Sequence, residues 1–191
     1  NAELDDAAIA ASHYVYLEGY LVSGDSSRAA AIKLRQLAEK HGIKTSLTFS
    51  DPAMVQFFKD GLNEMLGERV DLLFCNEAEA TSFTGTDNVD TALAALKSRC
   101  GSAVITLGAE GALAWDGEHT HRIDPVPVKA IDTNGAGDMF AGAFLYAITH
   151  GHDFVAAGKL ASAASARLVS EFGPRLPAEV HLQLRKATLG E

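Results

Sequence analysis

The chain of 191 residues contains only two cysteines, Cys75 and Cys100, which lie far apart in the sequence. A disulfide framework needs several cysteines at short spacings, and such frameworks are typical of oxidising compartments. Two isolated thiols instead favour a reducing compartment. We therefore expect a cytoplasmic protein.

The chain also has no long apolar run and no cluster of basic residues. No hydrophobic stretch reaches the roughly 20 residues that a membrane-spanning helix needs, and the first residues do not resemble a signal peptide. The chain has 16 basic and 25 acidic residues and a net charge of −9, whereas affinity for nucleic acid depends on clustered Lys and Arg. We expect neither a membrane nor a nucleic-acid partner.

The most informative segment is the run Asp132-Thr133-Asn134-Gly135-Ala136-Gly137-Asp138, which an apolar stretch at 139–148 follows directly. Glycines on both sides of an alanine allow backbone N–H groups to converge at the positive end of the next helix, where phosphate oxygens bind. A carboxylate repels phosphate, but an enzyme that deprotonates a hydroxyl beside a phosphoryl group needs one there. The run predicts an anion hole at 135–137, with Asp138 as the general base.

A purely structural role and two familiar nucleotide-binding motifs fit this run less well. The helix dipole alone favours an acid in a first turn, but the length of the motif, between a strand and a buried helix, favours the functional interpretation. A dinucleotide-binding GxGxxG loop does not fit, because Phe140 stands where the third glycine belongs and the motif lies late in the chain. A Walker loop does not fit either, because no GK[ST] follows a suitable glycine.

Together with the segment MFAGAFLYAIT after it, the run resembles the C-terminal signature of the ribokinase or PfkB family of carbohydrate and nucleoside kinases. Other stretches match the family in the same order: NEAEA at 76–80, TLGAEGA at 106–112, and the Ala/Ser-rich helix before EFGPRL. The family's N-terminal half, with its Gly-Gly sugar-binding signature and substrate lid, is not present. The resemblance predicts that residues 1–191 are the C-terminal part of a single ribokinase-like α/β domain.

The resemblance implies ATP-dependent transfer of a phosphoryl group to a primary hydroxyl of a nucleoside or sugar. The segments MFAGAFLYAIT and FGPRL look most like bacterial adenosine-kinase-like members, which favours adenosine or a related ribonucleoside. A ribokinase- or fructokinase-like sugar kinase is the alternative within the family. A nucleotide-binding fragment without turnover is a third hypothesis.

The resemblance also assigns contacts to the nucleotide. It places Thr106, Gly108 and Gly111 along the ATP phosphates and ribose, where glycines permit a sharp turn and close approach of the backbone. It adds Asn134 of the main run, and Ser162 at the adenine pocket, where relatives often carry Asn. From the residues alone, the turn at 106–111 is more often just a hairpin.

Asn76 and Glu79 follow a predicted strand and are three residues apart, so they share a face of a helix. Locally they fit a capping box, in which Asn caps the helix and Glu reaches back to it. They also lie where open α/β sheets bind ligands, beyond the carboxyl ends of the strands. The resemblance implies that they hold the Mg²⁺ of the nucleotide, largely through water, and a capped turn would fix Glu79 in place.

Asp132 opens the signature. The resemblance implies that it binds a monovalent cation such as K⁺ together with carbonyl groups of the turn 170–173, which includes Gly173. A carboxylate that only accepts N–H bonds from a turn is the alternative. Zinc is not expected, because His119 and His121 share a strand face but lie in a polar hairpin without a third ligand nearby.

Apolar segments alternate in a β-α-β-α-β order, which predicts a doubly wound, mainly parallel sheet with helices on both faces. Short strands separated by turns then predict antiparallel additions in the C-terminal half. The predicted strands are 13–17, 43–49, 70–74, 103–107, 112–115, 119–123 and 126–131. The predicted helices are 26–41, capped by Ser26 or Ser27, and 55–66, 89–99, 138–149 and 154–170.

The predicted strand Tyr14–Leu17 has only a short acidic, helix-like stretch before it. An apolar strand at an open sheet edge promotes aggregation, and proteins usually cover such edges. We therefore expect that an upstream segment, or a second copy of the chain in a homodimer, covers this edge.

Overall fold

The computed structural model describes residues 4–191. The chain divides into two compact units, Asn1–Ile105 and Thr106–Glu191. In the first unit, parallel pairing joins β1 to β2 and β2 to β3, with Leu17 opposite Leu47 and Leu47 opposite Leu73. All three of these leucines are fully buried. In sequence and sheet order the strands are β1 (Tyr14–Glu18), β2 (Lys44–Thr48), β3 (Val70–Asn76) and β4 (Cys100–Thr106).

The helices of the first unit alternate with these strands, as the sequence predicts. They are α1 (Asp6–Ala10), α2 (Asp25–His41), α3 (Pro52–Leu66), α4 (Glu77–Thr84) and α5 (Val89–Leu96), with a 3₁₀ turn at Gly19–Ser23. Cys75 and Cys100 are both free thiols and both buried, and burial raises their pKa values. The parallel α/β architecture predicted for this part of the chain is confirmed.

Three helix boundaries of the first unit differ from the prediction. Helix α2 begins at Asp25 after Gly24, and Ser27 is not its cap, because the Ser27 hydroxyl donates to the carbonyls of Leu21 and Gly24. Helix α3 begins at Pro52, because the Asp51 carboxylate accepts the N–H of Ala53 and proline suits a first helical position. Helix α5 ends early, at Leu96.

The second unit combines a hairpin with a helical cluster. Strands β5 (Ala112–Trp115) and β6 (Thr120–Ile123) pair antiparallel, with Leu113 opposite Arg122, which confirms the predicted hairpin. Helix α7 packs closely on β6, because a Cβ on Gly158 would lie 2.6 Å from the Ile123 side chain. The helices are α6 (Ala136–Thr149), α7 (Phe154–Val169) and α8 (Ala178–Leu189), with a 3₁₀ turn at Gly108–Glu110.

Two features of the second unit depart from the sequence prediction. The strand predicted at 126–131 is wrong, since these residues form no ladder and residues 124–131 are exposed. Pro127 has no N–H to donate to a ladder, and proline restricts the residue before it as well. Helix α8 was not predicted, because 178–189 buries no residue fully and has only a weak apolar face. Across residues 4–191, no helix has the length and apolar character to cross a membrane.

Candidate functional site

The N-terminus of α6 has the backbone geometry that the glycine-rich run predicts. Gly135 is the N-cap and has a left-handed conformation with φ of +77°. A Cβ at this position would lie 2.9 Å from Cβ of Pro174, so glycine is required both by the backbone angle and by the neighbouring turn. The helix begins at Ala136, two residues before the predicted start.

Helix geometry leaves the first backbone N–H groups of α6 without acceptors inside the helix. The N–H of Ala136 donates to the carbonyl of Thr133 at 3.2 Å. The N–H groups of Gly137 and Asp138 therefore remain as the first-turn donors that could meet an anion, at the positive end of the helix dipole.

Asp138 is the third residue of this helix, and its side chain is exposed. Among residues 4–191, no hydrogen bond or ion pair engages its carboxylate. It borders a cavity of about 450 Å³ between α6, α7 and α8, together with Met139 and Arg185. An unengaged carboxylate in the first turn is able to accept a proton from a hydroxyl that approaches it.

Four of the five residues predicted to contact a nucleotide come together in the second unit. Thr106, Gly108, Gly111 and Ser162 line one cavity of about 600 Å³, which Ala136 and Gly137 also border. The glycine at 111 is required, because its φ is +89° and a Cβ would lie 2.0 Å from the carbonyl oxygen of Ile123. A turn, a helix face and a helix N-terminus thus share one cavity.

Asn134 does not border either cavity described above, and its side chain is exposed. Its backbone N–H donates to Oδ1 of Asp132 at 3.0 Å. This backbone bond closes the turn before α6, and the nucleotide contact of Asn134 stays a prediction.

Sequence reasoning missed part of the cavity wall. Residues 126–128, which belong to the predicted strand 126–131, line the cavity together with Pro125, and Ser165 and Ala166 of α7 line the same cavity. Val126 and Val128 are each 45% exposed. Two prolines at alternate positions, Pro125 and Pro127, are the signal in the sequence that this extended segment does not join a sheet.

Asp132 joins two turns that are distant in the sequence. Its Oδ1 accepts the N–H of Asn134, and its Oδ2 accepts the N–H of Gly173 at 3.0 Å. These two bonds lower the pKa of the Asp132 carboxyl. The structure therefore brings Asp132 and Gly173 together, and the carboxylate does accept turn N–H bonds, as the structural alternative requires.

Asn76 and Glu79 form the complete capping box at the end of β3 in the first unit. The N–H of Glu79 donates to Oδ1 of Asn76 at 2.8 Å, and the N–H of Asn76 donates to Oε2 of Glu79 at 2.9 Å. A third bond joins Nδ2 of Asn76 to Oε1 of Glu79 at 2.7 Å. The local interpretation of this pair is confirmed.

The environment of Glu79 also suits a nearby cation. The residue is only 3% exposed, and burial, with a smaller effect of the Asp51 charge, raises its pKa to about 7. Because each carboxylate oxygen has two lone pairs, one bond to each leaves acceptor capacity. The oxygen of the Asn76 amide likewise accepts one bond and keeps a second lone pair, so both residues offer acceptor oxygens that fit the water molecules of a hydrated Mg²⁺ ion.

The histidines of the β5–β6 hairpin have a structural role. His121 Nε2 lies 2.7 Å from Oδ2 of Asp116, and Oδ1 of Asp116 accepts the N–H groups of Glu118 and His119. These bonds lower the pKa of Asp116 and close the turn between the strands. No cluster of three or more His, Cys, Asp or Glu side chains in the described part of the chain is arranged to hold a metal ion.

The chain matches one family of known proteins over most of its length. Residues 1–180 match the model of the pfkB family of carbohydrate kinases. The chain belongs to the pfkB family. Over 184 residues this pfkB-family chain is 30% identical to adenosine kinase from Saccharomyces cerevisiae, a match that covers 90% of the chain and 53% of that protein.

Solved structures of similar proteins agree with the fold. The structure of adenosine kinase from Sinorhizobium meliloti has a TM-score of 0.90 at 30% identity and matches 97% of this chain and 57% of its own. The structure of a probable sugar kinase from Rhizobium etli has a TM-score of 0.91 at 29% identity, and the match covers 98% of this chain and 58% of the sugar kinase. The pfkB-family chain thus spans about half the length of the relatives it matches, and its ribokinase-like fold is confirmed.

Proposed function

We propose that this pfkB-family chain carries the nucleotide-binding and proton-accepting part of an ATP-dependent kinase, which phosphorylates a hydroxyl of a nucleoside or sugar. The observation that carries the proposal is the first turn of α6. In this turn, Gly137 borders the cavity of about 600 Å³, and Asp138 has a carboxylate that no hydrogen bond or ion pair within residues 4–191 engages. Amide donors and an acceptor for a proton therefore lie within one helical turn.

In this proposal, ATP occupies the cavity of the second unit. Thr106, Gly108 and Gly111 contact the phosphates and ribose, and Ser162 lies at the adenine. The substrate hydroxyl oxygen attacks the γ-phosphorus, the bond to the oxygen of the departing ADP breaks, and Asp138 takes the hydroxyl proton. In the predicted anion hole at 135–137, the Gly137 N–H stabilises the negative charge on the transferred phosphoryl group, whereas the N–H of Ala136 is engaged by the carbonyl of Thr133.

Two cations complete the proposal. Asn76 and Glu79 would hold Mg²⁺ through water, and this ion neutralises phosphate charge when it is bound. Asp132 and Gly173 would belong to a K⁺ site next to the turn that leads into α6. Replacing K⁺ by choline in the assay tests the second site, because the proposal requires a loss of activity that restored K⁺ reverses.

Among substrates, the proposal favours adenosine or a related ribonucleoside. Support comes from two of the adenosine kinases among the similar proteins, each of which is 30% identical to this chain. A sugar kinase is the second candidate, and the match to a probable sugar kinase at nearly the same identity favours it. Competition between adenosine and ribose in one assay separates these two.

We also propose that the complete kinase domain includes residues outside this sequence. Relatives are nearly twice as long, and within the described residues β1 pairs only with β2. We propose that an upstream segment or a second copy of the chain covers β1. By itself the chain would then bind ATP weakly and transfer no phosphate. In that case the 191-residue chain alone is a nucleotide-binding fragment without turnover.

Phosphotransfer from radiolabelled ATP to adenosine, ribose or fructose tests the proposal. The assay compares the 191-residue chain with a polypeptide that continues upstream, and sedimentation gives the oligomeric state of each. We expect transfer by the longer polypeptide and only ATP binding by the chain alone. No transfer by the longer polypeptide to any of these acceptors would contradict the kinase proposal, and tight binding of a nucleoside by a monomer of the 191-residue chain would contradict the incomplete site.

A further inference from the structure

Ser165 makes a direct bond between helices α7 and α6. Its Oγ donates a hydrogen bond to the backbone carbonyl oxygen of Ala136 at 3.0 Å. Ala136 is the first residue of α6, and the helical pattern already gives its carbonyl the N–H of Phe140, four residues later. The bond from Ser165 is therefore a second bond to this oxygen, added from a neighbouring helix at the turn that borders the cavity.

The Ala136 carbonyl and the Gly137 N–H belong to the same planar peptide unit. In a trans peptide these two groups point in opposite directions, so a donor that fixes the oxygen also fixes the direction of the N–H. Hydrogen bonds in a chain polarise one another, which makes the N–H at the far end of the peptide a stronger donor. Through its bond to the Ala136 carbonyl, Ser165 can thus orient and polarise the Gly137 N–H on the opposite side of the same peptide unit.

The Gly137 N–H is also the donor best placed to use this effect. A Cβ added at Gly137 would meet no atom within 4 Å, so the space beside this backbone is open. Gly137, Ala136 and Ser165 all border the cavity of about 600 Å³. The N–H of Ala136, in contrast, is already engaged by the carbonyl of Thr133.

We infer that Ser165 is a positioning residue, which orients and polarises the Gly137 N–H toward the negative charge of a transferred phosphoryl group. The inference rests on the proposed kinase function and adds a residue to its anion hole. Ser165 acts through the peptide of Ala136 and Gly137, so its contribution belongs to the transition state rather than to the binding of ATP.

Steady-state kinetics of the active polypeptide test this role. Ser165→Ala should lower kcat about three- to tenfold, as expected for the loss of one hydrogen bond, while KM for ATP stays within about twofold. Ser165→Thr keeps a hydroxyl and should restore most of kcat. Thr149→Val is the matched control, because Thr149 Oγ1 donates to helical carbonyls at the other end of α6, and its kcat should equal that of the wild type.

Three kinetic outcomes would overturn the inference. An unchanged kcat in Ser165→Ala would show that the bond is not used in catalysis. A higher KM for ATP with kcat retained would instead show direct contact of Ser165 with the nucleotide. An equal loss of kcat in Thr149→Val would show a general effect on the stability of α6.

An NMR measurement on the 191-residue chain decides the structural link without any turnover. The ¹⁵N resonance of the Gly137 amide should shift in Ser165→Ala, shift less in Ser165→Cys, and stay near the wild-type position in Ser165→Thr and Thr149→Val. No shift in Ser165→Ala would overturn the inference. Because this readout needs no activity, it separates failure of the Ser165 role from failure of the kinase proposal, which would appear as absence of phosphotransfer by the wild-type enzyme.

Discussion

Glu79 and Asp138 occupy the same position, the third residue of a helix, in the two units of the chain. Their surroundings are opposite. Glu79 is buried and both of its carboxylate oxygens accept bonds from Asn76, whereas Asp138 is exposed. The difference originates at the N-cap, where the first helix has Asn76 and the second has Gly135.

An asparagine cap can accept a bond from the third helical N–H and leaves its own N–H for the third side chain, so the acid is tied back to the cap. Gly135 has no side chain, and its left-handed conformation turns the chain sharply into α6. The acid at the third position is then not held by a capping box. The cap residue thus decides whether an acid in a first turn is held in place or remains available for chemistry.

The largest expected effect is the loss of kcat when Asp138, the exposed acid, is replaced. Asp138→Asn should lower kcat about 100- to 10,000-fold, because a general base is lost, while ATP binding and the melting temperature stay near wild type. Asp90→Asn is the matched control, since Asp90 is an exposed acid in the first turn of α5. Turnover of Asp138→Asn within about threefold of the wild type would exclude the general-base assignment.

A second prediction concerns the glycine cap itself. Gly135→Ala should lower the free energy of unfolding by about 1–3 kcal/mol, because a left-handed alanine is strained and its Cβ would meet Pro174. Chemical denaturation measures this change. Gly142→Ala in the interior of α6, where a Cβ meets no atom within 4 Å, should instead be neutral or stabilising by up to about 1 kcal/mol. Equal stability of the two variants would contradict the special role of Gly135.

A third prediction asks whether Glu79 is only structural. Glu79→Gln in the active polypeptide should raise the Mg²⁺ concentration needed for half-maximal activity more than it lowers thermal stability. Glu77→Gln, which removes a different first-turn acid of α4, serves as the control. If Glu79 were only part of the cap, the variant would lose roughly 1 kcal/mol of stability and its Mg²⁺ titration would match that of the wild type.

The smallest expected effect is on the pH dependence of folding stability, to which the buried carboxyl group of Glu79 contributes. Its pKa is raised from 4.5 to about 7 in the folded chain, so the folded state binds more protons than the unfolded state between these values. Stability from this group is therefore fully present below pH 4.5 and is lost as pH rises through about 7. Glu79→Gln should remove this part of the slope in melting temperature between pH 5 and 8, whereas an identical slope in the variant would contradict the raised pKa.

Local patterns in the sequence were sufficient to predict several features of the chain. The capping box of Asn76 and Glu79 depends on atoms within four residues, and the β5–β6 hairpin depends on one short turn. The segment 126–131 was predicted wrongly because its alternating apolar side chains face a cavity rather than a sheet, a fact that no local pattern contains. Helix α8 was missed because its apolar face is weak.

Local sequence is enough to set the backbone at Gly135, at Pro52 and at the Asn76 cap, because a left-handed glycine, a proline at a first helical position and an Asn cap act within a few residues. Which side chains share a site depends instead on tertiary packing. Asp132 meets Gly173 across 41 positions, and Ser165 meets Ala136 across 29. Such pairs form because α7 packs on α6 and carries the following turn to the start of α6. Helix packing acts between residues that are distant along the chain, so it leaves no short-range trace in the sequence.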